Sequence, residues 1–171
     1  VGKDKGLHYF AMEFVPGITL KGLMDKIKGP LAENYCIHVV KQVAIGLEHA
    51  TKEKIIHRDI KPDNLLLTSP IRANPDEKAE LGNLDDVVKI ADMGLAKCSD
   101  ENQTCVTQAG STLGTPHYIS PEQAMGEESI DFRCDMYSLG ATFFHMITGR
   151  TAFTGTTVGQ IVTAHVNKAL D

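Results

Sequence analysis

No run of apolar residues in this 171-residue sequence approaches the ~20 that a membrane-spanning helix needs. The longest candidate, Tyr137 to Ile147, is interrupted by Gly140, Thr142 and His145 and reads as a buried core helix. No signal-peptide pattern stands at Val1, and the sequence starts without Met. The natural termini, and any membrane anchor, are therefore expected to lie outside it. Positive charge is in deficit: a formal net charge of -5 argues against nucleic-acid or polyanion binding as the main role. Cysteine is sparse, and Cys36, Cys98, Cys105 and Cys134 form no C-x-x-C pair. No zinc-ligand spacing arises among them and the seven histidines. Reduced thiols of a cytosolic protein are the simplest reading, with a redox link between Cys98 and Cys105 left open. In such a protein Asn102-Gln103-Thr104 matches a glycosylation acceptor only by chance.

The remaining composition, 42% apolar and 23% charged, suits one globular domain with a sizeable core. Leu7 to Val15 is a β-like run that ends at the turn signal Pro16-Gly17. Leu20 to Ile27 reads as a short helix broken by Gly29-Pro30. From Glu33 to about Thr51, Ile37, Val40, Ala44 and Leu47 recur at helical spacing, with Cys36, Val43 and Ala50 widening the stripe. Gly46 weakens that helix slightly. Leu65-Leu66-Leu67 and Val87 to Ala91 look like the strands of a hairpin. Their connection, Thr68 to Asp86, far exceeds the ~2–5 residues usual for a hairpin loop and reads as an insertion. Cys98 to Ser111 is a polar, aperiodic loop. Ile130 to Thr148 is helical and apolar nearly all round, as in a helix buried on most sides.

The densest chemistry lies in His57-Arg58-Asp59-Ile60-Lys61-Pro62-Asp63-Asn64. This string resembles the protein-kinase catalytic loop H-R-D-x-x-x-x-N. Phosphoryl transfer needs a carboxylate to take the substrate hydroxyl's proton, and Asp59 fits. It needs a neutral oxygen ligand for Mg²⁺, and Asn64 fits. Lys61 can neutralise charge on the transferred group. Ile90-Ala91-Asp92-Met93-Gly94 looks like the D-F-G element with Met for Phe. Asp92 would chelate Mg²⁺, Gly94 would permit the turn after it, and flexible Met93 can fill the Phe slot. Gly114-Thr115-Pro116-His117-Tyr118-Ile119-Ser120-Pro121-Glu122 resembles the substrate-facing loop and A-P-E element, with Ser120 at the Ala position.

The resemblance implies further roles. Asp135 would anchor the catalytic-loop backbone, though an ordinary helix-start carboxylate is the alternative. His57 and Arg58 would be structural or regulatory. Adenine would bond to the backbone of Glu13 and Val15, with Met12 as gatekeeper. Leu66 and Leu20 would lie under its ring or serve simply as core. Thr115 would bond Asp59 and Lys61. Glu122 would pair with an Arg beyond Asp171. Thr107, Ser111 and Thr112 are candidate phosphorylation sites. Lys61, Gly114-Thr115, Phe14 to Leu20 and Ser120 to Ala124 are most similar to the eukaryotic-like Ser/Thr kinases of bacteria.

The implied fold is α+β and protein-kinase-like. Residues 1–19 would close the small lobe's sheet and form the hinge. Residues 20–171 would form an incomplete C-lobe with catalytic loop 57–64, insertion 68–86 and activation segment 92–122. The implied activity is transfer of the ATP γ-phosphate, with Mg²⁺, to Ser or Thr of a protein substrate. No nucleic-acid partner is implied, and the domain is expected to be cytoplasmic. No G-x-G-x-x-G loop or V-A-I-K strand occurs; Val43-Ala44-Ile45-Gly46 has Gly in place of Lys. The 171 residues alone are therefore expected to be inactive. A pseudokinase or docking scaffold is the alternative. A small-molecule phosphotransferase would lack the element from Gly114 to Glu122.

Overall fold

The computed structural model describes residues 2–9, 11–68, 82–92 and 116–170. Strands β1 (Gly2–Asp4) and β2 (Leu7–Tyr9) form an antiparallel hairpin. Its two turn residues, Lys5 and Gly6, both have positive φ (46° and 84°), which matches the twist of the strands they join. The expected β-like run to Val15 ends early. Residues 11–16 have no hydrogen-bonded strand beside them among the described residues, and Met12 and Phe14 are exposed.

A second sheet orders β3 (Ile18–Thr19), β4 (Leu65–Thr68) and β5 (Val87–Ile90) side by side, all antiparallel. Gly17 enters it with φ 150°, and a Cβ there would lie 2.0 Å from the Leu67 carbonyl oxygen. Only glycine lets the chain pass so close to β4.

Thr19 then caps α1 (Leu20–Ile27), its Oγ1 accepting from the Gly22 N–H at 3.0 Å. The long helix α2 (Glu33–Lys52) forms as its spacing implies, but its buried face is rotated from the expected one. Tyr35, Cys36, Val39, Val43, Leu47 and Ala50 are buried, whereas Ile37 is exposed and Val40 and Ala44 flank the stripe. The single-sequence pattern could not separate the stripes, because both carry branched residues one position apart. A Cβ at Gly46 would stand 3.0 Å from Ile90 Cδ1, so the small residue lets α2 lie close against β5.

Three further helices follow: α3 (Pro121–Met125), α4 (Arg133–Thr148) and α5 (Val158–Asn167). Leu20, Leu23, Cys36, Val39, Leu65, Leu67 and Met146 make the core that joins α1, α2, β4 and α4. Although α4 is apolar in sequence, its buried side carries Asp135, Ser138 and Thr142, while Met136 is half exposed. Asp135 and Ser138 thus bring hydrogen-bonding groups inside the fold, beside buried Cys134, Leu139 and Met146 of the same helix. The whole is the mixed α+β arrangement expected. No helix among the described residues is long and apolar enough to cross a membrane.

The far end of the long β4–β5 connection belongs to the fold rather than to a free loop. Asp86 is 1% exposed. Its Oδ2 accepts from Tyr35 Oη at 2.6 Å, and its carbonyl meets His38 Nε2 at 2.8 Å and Gln42 Nε2 at 2.9 Å, all on α2. Gln42 Oε1 also accepts the Val88 N–H at 3.1 Å. Thr68, at the other end, pairs with Val87 in the sheet.

Candidate active site

The loop 57–64 runs from the end of α2 into β4 and closes with a single 3-10 turn, Pro62–Asn64. Two peptide N–H groups at its start converge on one carboxylate. Asp135 Oδ2 accepts from His57 N at 2.8 Å, and Asp135 Oδ1 from Arg58 N at 2.7 Å. Asp135 sits in the first turn of α4 and is 3% exposed. Its neighbour Cys134 is pushed up to about 12, first by burial and then by the Asp135 carboxylate, so it stays a thiol.

His57 is buried and fixed at both ring nitrogens. Nδ1 receives the Asp59 N–H at 3.2 Å, so the ring proton lies on Nε2, which donates to the Ala91 carbonyl at 2.9 Å. Asn64 reinforces this link, because its carbonyl accepts from the Ala91 N–H at 2.8 Å. Ala91, the residue just before Asp92, is thereby tied to the loop 57–64 twice. Asp92 itself is exposed and has φ 57°, the left-handed conformation that Asp tolerates better than most residues.

Around Asp59 the geometry is asymmetric. Oδ2 accepts from Lys61 Nζ at 2.8 Å and from Asn64 Nδ2 at 2.9 Å, and Asn64 Nδ2 also reaches the Asp59 carbonyl at 2.8 Å. Oδ1 has no hydrogen-bond partner among the described residues. Asn64 is 6% exposed and spends its side-chain Nδ2 on Asp59, which leaves its side-chain Oδ1 for another ligand. Among the described residues no three His, Cys, Asp or Glu side chains form a metal cage. Asn64 and Asp92 supply oxygen donors only, which suits a hard cation that keeps water and substrate oxygens as its other ligands.

The segment after residue 115 is held from behind. Tyr118 is buried; its hydroxyl pairs with His145 Nδ1 at 2.7 Å, and its carbonyl accepts from Ser138 Oγ at 2.7 Å. Burial holds the Tyr118 hydroxyl well above the usual phenol range, with Asp63 and Asp25 adding to it. Ser120 and Gln123 form a reciprocal capping box at the start of α3. Gln123 Nε2 also donates to the Arg58 carbonyl at 2.8 Å.

The structure therefore brings Asp59, Lys61, Asn64, His57, Arg58 and Asp135 together, with Asp92 attached through Ala91. Leu66 is cross-strand partner to Thr19, next to fully buried Leu20. Met12, Glu13 and Val15 lie in the unpaired stretch 11–16, where Glu13 Oε1 reaches Lys89 Nζ at 2.5 Å. Glu122 is half-buried and makes no ion pair among the described residues. Gly94, Thr107, Ser111, Thr112 and Thr115, with Met93, lie outside the described residues. The links made by Gln123, Ser138 and Tyr118 escaped the sequence reading. Only the S-x-x-Q capping signature at Ser120 offered a local sign of the first.

A family profile described as protein kinase domain matches residues 1–170. A probable serine/threonine-protein kinase PknB of Bifidobacterium longum is 37% identical over 167 residues, covering 98% of this chain and 22% of that protein. The serine/threonine-protein kinase PknB of Mycobacterium tuberculosis is 33% identical over 162 residues, 95% of this chain and 23% of its own length. PrkC of Bacillus subtilis is 33% identical over 166 residues, 97% and 23% respectively. The chain thus spans less than a quarter of the length of these relatives. With the profile matched almost end to end, the chain belongs to the protein kinase domain family.

Proposed function

We propose that the protein carrying this chain transfers the γ-phosphate of ATP to serine or threonine hydroxyls of other proteins. The observation that carries the reading is the state of Asp59. Two donors hold Oδ2, which supports a role for Oδ1 in receiving an incoming hydroxyl. Phosphoryl transfer is mostly positioning and charge stabilisation, which is what such an arrangement supplies. The hydroxyl oxygen bonds to the γ-phosphorus, the bond to the bridging oxygen breaks with its electrons leaving on ADP, and the hydroxyl proton passes to Asp59. Lys61 lies beside Asp59 and offsets charge developing on the transferred group.

Asn64 and Asp92 would hold Mg²⁺, which when bound neutralises phosphate charge and orients it. Adenine would meet the backbone of Glu13 and Val15, beside Met12 and over Leu66. Residues 1–19 then serve as sheet edge and hinge, and 92–122 as the activation segment. Thr115 would set the acceptor hydroxyl against Asp59. The names of the relatives, all serine/threonine-protein kinases, support the choice of Ser and Thr over Tyr.

The test uses the full-length protein with Mg²⁺, γ-labelled ATP and a degenerate Ser/Thr peptide library. Label is expected in phosphoserine and phosphothreonine, and is expected to vanish in Asp59→Ala. Absence of transfer by the wild-type protein would leave a docking scaffold as the better reading.

A further inference from the structure

We propose that Gln123 is a positioning residue for phosphoryl transfer: its side-chain amide fixes the peptide that leads into Asp59 by donating to the Arg58 carbonyl. The proposal rests on the kinase reading above and deepens it.

Arg58 has φ 66°, a backbone conformation that a non-glycine residue holds only when its surroundings enforce it. Both of its peptide groups are held by side chains from elsewhere. Its N–H goes to Asp135 Oδ1 on α4 at 2.7 Å, and its carbonyl receives Gln123 Nε2 on α3 at 2.8 Å. No other donor among the described residues reaches that carbonyl. Asp59 follows directly in the chain, so a rotation of the Arg58 peptide would redirect the carboxylate.

The contact also closes a circuit. Asp135 and Ser138 stand one turn apart on α4. Ser138 Oγ holds the Tyr118 carbonyl at 2.7 Å, and the chain continues from Tyr118 to Ser120 and Gln123. Gln123 returns to Arg58, and Arg58 to Asp135. The segment 116–120 is thus linked to the residue preceding Asp59 by Gln123 on one side and by Ser138 and Asp135 of α4 on the other.

The residue type points the same way. Gln123 Oε1 accepts from Ser120 N at 3.3 Å and from Ser120 Oγ at 3.1 Å, which a glutamate would do equally well in a capping box. A negative charge in the first helical turn would even favour the helix. Only the contact with Arg58 needs a donor, and of the two residues that close a capping box, Glu and Gln, only glutamine donates as well as accepts at neutral pH.

Gln123→Glu separates the two tasks in the full-length protein. It keeps the cap and sets a carboxylate oxygen against the Arg58 carbonyl. The melting temperature should hold, kcat should fall roughly tenfold, and KM for ATP should be unchanged. The deficit in kcat relative to wild type should shrink as pH is lowered towards the glutamic acid range, where a protonated carboxyl can donate again. Gln123→Met, which neither donates nor repels, should show the kcat loss without the pH recovery. Amide exchange across 57–61 should quicken in Gln123→Glu at pH 8 while α4 keeps its protection. Unchanged kcat with unchanged exchange would overturn the proposal, as would equal loss of kcat and melting temperature with no pH recovery. If wild type transfers no phosphate, the kinase reading falls. The exchange comparison then still decides whether Gln123 holds the loop.

Discussion

Asp135 follows Arg58 by 77 residues, yet its Oδ1 accepts the Arg58 N–H at 2.7 Å inside the fold. The same carboxylate accepts the His57 N–H at 2.8 Å. Asp135→Ala would leave two buried donors without a partner, a loss of about 3 kcal/mol at an unmade bond's cost of ~1–3 each. Asp135→Asn keeps one acceptor and should lose about half as much. Urea midpoints of the three proteins check the order, and an Ala variant as stable as wild type would show that the anchor contributes nothing.

Asp59 and Asp92 should fail in different ways. In the proposed reaction Asp59 faces the acceptor hydroxyl, so Asp59→Ala is expected to cut kcat at least a hundredfold, the low end of what a positioned base contributes, while Mg²⁺-dependent nucleotide binding stays near wild type. Asp92→Asn removes the charged one of the two proposed cation ligands and should weaken that binding about tenfold or more. Titration calorimetry with a non-hydrolysable ATP analogue, with and without Mg²⁺, separates them. Equal loss of affinity in both variants would refute the division of roles.

How far these features could be read from sequence depends on how local they are. The helices α1, α2 and α4 and the β4–β5 hairpin announce themselves through periodicity and breakers, and the loop 57–64 through eight ordered residues. The exposed state of Ile37 was not legible, because which stripe of α2 is buried is decided by β5 and α4 rather than by α2 itself. The same holds for Gln123. Its partner is a backbone carbonyl 65 residues away, and a backbone acceptor leaves no mark on sequence.

The long connection between β4 and β5 is expected to be dispensable only in part. Long surface loops cost little closure entropy, so replacing 70–81 with a short Gly/Ser turn should leave turnover within about twofold. Asp86 is different, since its carboxylate is buried against the Tyr35 hydroxyl. Tyr35→Phe should lower stability by about 2 kcal/mol, the worth of a hydrogen bond to a charged group. Chemical denaturation and a peptide assay on both variants test the contrast. Inactivity of a folded loop-replacement variant would assign 70–81 a role in catalysis.

Arg58 directly precedes Asp59, and its guanidinium has no acceptor among the described residues. A phosphate on the activation segment could pair with it in a charge-assisted, two-point bond. Thr107, Ser111 and Thr112 are the proposed acceptors. Mass spectrometry of the active full-length protein should find phosphate on at least one, and phosphatase treatment should lower activity. Full activity of the triple Ala variant would exclude the switch.

Acid should weaken the fold through two histidines before it touches the carboxylates. His165 is 4% exposed, with Nδ1 paired to the Tyr137 hydroxyl at 2.9 Å and Phe153 edge-on at 4.7 Å. Burial lowers its pKa; the charge of nearby His117 adds to the effect, and a hydrogen bond with the His117 backbone opposes it. Burial also lowers that of His145, helped by Lys21 and His117 and opposed by Asp25. Both therefore bind protons less readily in the folded chain than in the unfolded one, whose ordinary value is 6.5. Where the unfolded state holds more protons, stability rises with pH. The contribution is thus fully present above about pH 6.5 and is lost as pH falls through the lowered values. Glu48 and Asp131, held down by Lys52 and Arg133, have ordinary values of 4.5 and 3.8 and act only in stronger acid. Urea midpoints at pH 7.5 and 5.5 should differ for wild type. In His145→Gln with His165→Asn, the midpoint should be lower at pH 7.5 but the drop between the two pH values smaller. A wild-type midpoint that does not move across this interval would remove the two histidines as the acid-sensitive element.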